Sequence, residues 1–415
     1  MDREPVLGSY LGRMLPLFAA VFLMRFAFSF TVVSLQYIVP NAASLGIISS
    51  AYPIMEMASG FFVGVLADKF GRRWIISASL IVSSIVSLAF TLDSNTEYLI
   101  IIHGIQGLCA AAIVVSSLAL LTDLARNSSR GREMGTYDFS TIAGYGLGFF
   151  AALVIINGNP ANAHLPFYVG SAAALFGGVL SALTLKDGAM SPQSRTAIRD
   201  HVRAMAKSNS MQTLLPTWFV LMMIVGVFLT FTNRISTLLV PTSHGLGQGF
   251  SSLRLDVIGA VVVVGGLILL GFSQTTLGAL SDRFGRSRVS LIGQISVMGF
   301  LGVLIALVSL RIKLIYLLPF VGIFGAGLLA FTPAALAELA DASPNDGRGS
   351  SMGFYSIAVG AGTIFGPLVG GELMAKYGTA SGLSVLFGIG FLIVLIFMIP
   401  RVLMFSRNMG KDIFH

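Results

Sequence analysis

Gly64-Val-Leu-Ala-Asp68-Lys69-Phe-Gly71-Arg72-Arg73 returns 214 residues later as Gly278-Ala-Leu-Ser-Asp282-Arg283-Phe-Gly285-Arg286-Ser287. That separation is close to half of the 415 residues, so the chain reads as an internal duplication. Each copy closes one apolar run and opens the next, with its charges gathered in the turn between them. The periodicity puts Asp68 and Asp282 at the C-terminal ends of helices, where the helix dipole disfavours a negative charge. Each acid therefore needs a partner outside its own helix. A second repeat, Arg130-Gly131-x-x-Met134-Gly135-x-Tyr137 and Arg348-Gly349-x-x-Met352-Gly353-x-Tyr355, is offset by 218 residues, so the halves align with small insertions.

Composition excludes a soluble domain. Hydrophobic residues make up 55%, charged residues 11%, and the mean hydropathy is +0.86, whereas globular domains carry roughly 25% charged residues. Twelve apolar runs are long enough to span the hydrocarbon core, at 14–40, 45–67, 74–92, 98–122, 135–157, 166–185, 213–241, 256–281, 289–309, 313–340, 353–373 and 381–405. Asp2-Arg3-Glu4 runs into a full-length span, with no cleavable signal peptide evident. The single cysteine, Cys109, sits in an apolar run and excludes an intramolecular disulfide framework.

The expected fold is thus an all-α polytopic membrane protein of two pseudo-symmetric six-helix bundles, 1–185 and 213–415, joined by the connection 186–212. Within the connection, Arg195–Lys207 reads equally as a basic amphipathic helix on a membrane surface or as a solvated linker. With both termini cytoplasmic, inner segments hold 20 of the 26 Lys and Arg residues, Arg401 at the inner end of the last span counted among them. The outer loops hold four (Arg254, Arg311, Lys313, Lys376), and two lie within spans. The positive-inside rule therefore sets the topology and accounts for the net charge of +8 without nucleic acid. The expected location is the plasma membrane, and the expected state a monomer.

These features resemble the major facilitator superfamily, whose two halves are parallel repeats. Gly64, Asp68, Lys69, Gly71, Arg72 and Arg73 fill that family's loop 2–3 signature. Gly278, Asp282, Arg283, Gly285 and Arg286 fill the second copy, which loses a basic position at Ser287. Leu99-x-x-x-His103-x-x-Gln106-Gly107, followed by Cys109-Ala-Ala-Ala112, is similar to the span-4 signature of drug/proton antiporters. There the position of His103 is normally an arginine associated with proton transfer. Gly353-x8-Gly362-x3-Gly366-Pro367-x2-Gly370-Gly371 matches the antiporter glycine-proline pattern, but in span 11 instead of span 5. In span 5 Gly135, Gly144 and Gly148 survive, while Phe149 replaces the proline and Ala152-Leu153 the glycine pair. Small residues allow close helix approach in a bilayer, and Pro367 removes a backbone hydrogen bond. Spans 5 and 11 are therefore expected to pack where the halves meet.

Ionisable residues inside spans are costly, by about 2.5–3.5 kcal/mol or more at the centre, and mark candidate sites. Arg25 in span 1 and Glu56 in span 2 each lie about 11 residues from a span end, on the order of 16 Å deep. They are expected to pair, with Glu56 exchanging a proton and Arg25 stabilising its anion or binding substrate; a purely structural pair is the alternative. His103 reads either as a titratable switch or as a hydrogen-bonded structural residue. Gln36, Tyr37, Gln106, Asn233, Arg234 and Gln274 are candidate substrate contacts. Asp123 and Glu338 read as gate partners of the basic loops, and Lys69, Arg72 and Arg73 chiefly as topology determinants. By resemblance, Asp68 is expected to latch onto the start of span 11 and Asp282 onto that of span 5, with Arg130 and Arg348 as partners.

No metal-ligand cluster, phosphate loop or nucleophile turn is present in the sequence, so neither an enzyme nor a cofactor is expected. The function expected from the resemblance is a proton-coupled secondary transporter working by alternating access, exporting small amphipathic organic compounds. A symporter or uniporter for an organic anion bound by Arg25 is the second reading. A transporter-like receptor, scramblase or channel is the third.

Overall fold

The structure is a computed structural model that describes residues 7–124, 130–156, 160–186, 209–239, 281, 283–310, 312, 314–341 and 348–412. The helices named here are α1 (Leu7–Ile38), α2 (Ala42–Phe70), α3 (Arg72–Ala89), α4 (Thr96–Leu124), α5 (Arg130–Ile156) and α6 (Leu165–Thr184). They continue with α7 (Asn209–Leu239), α8 (Arg286–Ser309), α9 (Leu314–Asp341), α10 (Arg348–Tyr377) and α11 (Thr379–Asp412). Among the described residues there is no strand, and ten helices are long and apolar enough to cross a membrane. The eighth span lies outside the described residues except for Ser281, and with it Gln274 and Gly278. Asp282 and the linker residues 187–208 lie outside them too.

Helix starts fall where the repeats align. Arg72 and Arg286 open α3 and α8, and Arg130 and Arg348 open α5 and α10. Gly71 ends α2 by donating its N–H to the Ala67 carbonyl at 3.1 Å. Its φ of 90° and ψ of 134° then turn the chain directly into α3. Gly285 repeats this with φ 90° and ψ 122°. Side chains other than hydrogen do not tolerate that region, so the signature glycines are set by backbone geometry.

The chain divides into two compact units, one containing α1–α6 and the other α7–α11. In the first, α1 packs on α5 and α6, α2 on α4, and α3 on α4 and α6. In the second, α7 packs on α10 and α11, and α8 on α9 and α11. With α7, α8, α9, α10 and α11 matched to α1, α3, α4, α5 and α6, the second set repeats the first, apart from the α2 pairing. Many large apolar side chains point outward, among them Phe62, Ile85, Phe176, Leu183 and Ile323. A surface of that kind suits hydrocarbon, not water.

Within each unit, glycines let backbones touch. A Cβ on Gly144 or Gly148 of α5 would strike the carbonyls of Phe22 or Phe26 on α1. One on Gly362 or Gly366 of α10 would strike those of Phe219 or Met223 on α7. Pro367 and Gly370 extend the second seam, packing near Gly226 and Val227, and Gly371 is buried beside them. The neighbours of these glycine faces lie inside each half, on α1 for α5 and on α7 for α10. α10 runs unbroken past Pro367. α7 does bend, at Phe231 (φ −119°, ψ 23°), where the Thr232 hydroxyl turns back onto the Phe228 carbonyl.

Two outcomes follow for thermal unfolding of the purified protein. Gly71→Ala and Gly285→Ala each cost about 1–3 kcal/mol, the strain of a side chain in that backbone region. Gly148→Leu and Gly366→Leu lower the melting temperature strongly, whereas Gly325→Ala, with nothing within 4 Å of its added Cβ, leaves it unchanged.

Candidate functional site

Arg25 lies at the middle of the apolar stretch Met14–Ile38 of α1. On α2, Tyr52 and Glu56 are one turn apart and face the same way. α5 brings Tyr145, next to the glycine that seats it on α1. α4 closes behind, because a Cβ on Gly107 would strike the Tyr52 carbonyl and one on Gly104 would come within 3.2 Å of Met55.

Arg25 is held from three directions. Its Nη2 lies 3.5 Å from Glu56 Oε1. Nη1 donates to Tyr145 Oη at 2.8 Å and to Tyr52 Oη at 3.1 Å. The guanidinium also sits 5.0 Å from the Tyr145 ring centroid, a cation–π contact strengthened where water is scarce. Ser29 ties the helices together, its single O–H shared between the carbonyls of Arg25 and Tyr145, both at 3.0 Å. The Arg25 side chain is 12% exposed and that of Glu56 26%, so the acid is the more open member of the pair.

Behind the pair lies an aromatic wall. Phe28 packs on Tyr52 at 4.1 Å between centroids and on Tyr145 at 5.8 Å. His103 is buried against Phe28, Tyr52 and Phe90. Its Nδ1 donates to the Ile48 carbonyl at 2.9 Å, and Nε2 has no hydrogen-bond partner among the described residues. Gln106 is also buried, with Nε2 donating to Thr31 Oγ1 at 3.1 Å. It lines a cavity of about 10 Å³ with Met24, Phe28, Tyr52, Ser83 and Ala110, room for one water. Both residues therefore face the bundle interior.

The other candidates lie elsewhere. Gln36 is 11 residues beyond Arg25 on α1, about 16 Å along the axis, and donates to the Val32 carbonyl of its own helix. Tyr37 follows it, half-buried. Asn233 and Arg234 are half-buried in α7, just past its bend, in the second unit. Gate side chains expected of Asp68, Asp123, Arg130 and Arg348 lie outside the described part of the structure. Arg283 is exposed and Arg286 half-buried.

Arg72 and Arg73 do more than set topology. Arg72 Nη1 donates to the Ala119 carbonyl of α4 at 2.7 Å, and Arg73 donates to the Ala182 carbonyl of α6. Lys69 stays exposed, its Nζ 5.3 Å from the Phe70 ring centroid. Glu338, expected to face the basic loops, instead pairs inside its own bundle with Arg401 and accepts from Ser290. Arg401 was counted among the inner surface charges, but it is buried in α11.

Tyr52 and Tyr145 were not picked out from the sequence. The available signal was their spacing: Tyr52 stands one turn before Glu56, and Tyr145 adjoins Gly144. Asp138, exposed on the membrane stretch Thr136–Ile156, was passed over as well. Its neighbour Tyr137 shares a 2.9 Å hydrogen bond with Ser117.

Comparison with known proteins agrees with this architecture. The family model described as Major Facilitator Superfamily matches residues 17–273 and 253–408. Multidrug resistance protein 1 of Bacillus subtilis (strain 168) is 24% identical over 340 residues, covering 80% of this chain and 81% of that protein. Multidrug resistance protein 2 of the same strain is 26% identical over 347 residues, covering 80% of each chain. Among solved structures, a bacterial homologue of the human lysosomal transporter Spinster, inward-facing and occupied, superposes with a TM-score of 0.73 at 14% identity, covering 99% of each chain. The fold is that of these carriers, and the chain belongs to the Major Facilitator Superfamily of transporters.

Proposed function

We propose that this chain is a proton-coupled transporter that exports small amphipathic organic compounds by alternating access, with both termini cytoplasmic. The drug-type substrate class rests on the two multidrug resistance relatives. The observation that carries proton coupling is the three-sided hold on Arg25. A carrier that takes up a proton must discharge an acid without stranding its counter-ion, because an unpaired buried charge is strongly unfavourable. Tyr52 and Tyr145 supply two hydroxyl acceptors to Arg25, so the cation stays hydrogen-bonded when Glu56 is protonated. Glu56, the more exposed partner, is the group that trades the proton.

The same geometry counts against Arg25 as the direct site of an organic anion. Its Nη groups are engaged by Glu56 and the tyrosines, and an incoming anion would have to displace the acid. His103, enclosed by aromatic rings, serves here as a structural residue and not as the proton carrier.

In proteoliposomes, Glu56→Gln is expected to cut pH-gradient-driven transport by an order of magnitude while substrate exchange without a gradient persists. Intact gradient-driven transport in that variant would overturn the assignment. For the wild type, antiport acidifies the medium as substrate enters; alkalinisation would mean symport. Replacing both tyrosines by phenylalanine removes the acceptors that hold Arg25 when the acid is protonated. Gradient-driven transport should then fall several-fold, measured beside the wild type in the same proteoliposomes.

A further inference from the structure

In the second copy of the loop signature Ser287 stands where the first copy has Arg73, and the next basic residue, Arg288, is exposed. What the missing charge does can be read from the first copy. Arg73, at the start of α3, donates to the Ala182 carbonyl of α6. That helix ends at Thr184, so Ala182 offers one of the last carbonyls, which lack a partner within the helix and carry the negative end of the dipole. The cation thus ties the start of α3 to the end of α6.

The corresponding helices of the second unit are α8 and α11, but α11 does not end there. It runs on to Asp412, so the matching place is not a helix end; Pro400, which has no N–H, leaves one carbonyl there, that of Ile396, without its helical donor.

The structure instead holds a cation running the other way. Arg401 of α11 reaches back to the start of α8, where Nη2 donates to the Ser287 carbonyl at 3.1 Å and to Ser287 Oγ at 3.3 Å. The same nitrogen meets Glu338 of α9 and Ser290 of α8, and Nη1 donates to Gln294 Oε1 at 3.3 Å. Gln294 carries the connection to α7, donating to the Thr213 carbonyl at 2.7 Å and to Thr217 Oγ1 at 2.9 Å. Ser290, Gln294 and Thr217 are all fully buried.

We infer that Arg401 is the transposed counterpart of Arg73: a positioning residue that supplies, from α11, the charge that Ser287 lacks. It fastens α8, α9 and α11 into one block at the signature end of the second unit. The inference concerns the unit's integrity and does not depend on the substrate or on proton coupling, and its test is read without transport.

The experiment is charge transposition in full-length protein, measured as the melting temperature of detergent-purified material. Arg401→Ala should lower it by several degrees. Adding Ser287→Arg to that variant returns a cation to within reach of Glu338 and should recover a substantial part of the loss. Ser287→Arg alone should give no gain, because two cations then crowd one carboxylate. If Arg401→Ala is too unstable to purify, recovery of monodisperse protein by the double variant is the supporting result. A double variant no better than Arg401→Ala, or an Arg401→Ala protein that melts like the wild type, would overturn the assignment.

Discussion

Contact between a glycine and a backbone carbonyl is what the rest of each unit is built on. Hydrocarbon tails solvate a leucine as well as another leucine does, so apolar burial supplies little force between helices in a bilayer. Association must come from backbones near enough for dense packing, and only hydrogen in place of a side chain permits it. Gly144 and Gly148 on the Phe22 and Phe26 carbonyls achieve this in the first unit, and Gly362 and Gly366 on Phe219 and Met223 in the second. In both cases the glycines are four residues apart and so are the carbonyls, so one helical turn of each helix registers against one turn of the other.

That register also builds the charged site. Seating α5 on α1 at Gly144 brings Tyr145 over Arg25. The approach of α4 at Gly107 leaves α2 with its Tyr52–Glu56 face toward α1. A guanidinium in a low-dielectric interior needs acceptors at fixed distances, and here the close approach of the helices supplies them. Ionic interaction and packing are therefore one arrangement and not two separable contributions.

Much of this was legible in the sequence. Apolar run length gives the helices, since nothing else can satisfy the backbone across a bilayer. The two offsets, 214 and 218, give the pairing of halves that the helix contacts repeat. The Arg25–Glu56 pair was accessible because two ionisable residues at similar depth have few other ways to offset desolvation. Hydroxyl partners were not, because a tyrosine in a span is unremarkable until the face it occupies is known. The glycines show the same limit: their spacing revealed close packing, but spacing along one helix does not say which neighbour is touched. Arg401 was missed for a related reason. Near the end of a span, a count of charges cannot distinguish a basic residue on the surface from one turned inward to an acid.

The position of Arg25, midway along its apolar stretch, matters electrically as well as chemically. Together with an ionised Glu56 it forms a neutral unit on which a membrane voltage exerts almost no net force. A proton bound at that depth would leave one uncompensated positive charge about halfway through the field, worth about 1 kcal/mol at 100 mV. In a carrier working as proposed, the loaded and unloaded forms would therefore differ in their response to voltage. The electrical and chemical parts of a proton gradient would then act on the same residue pair.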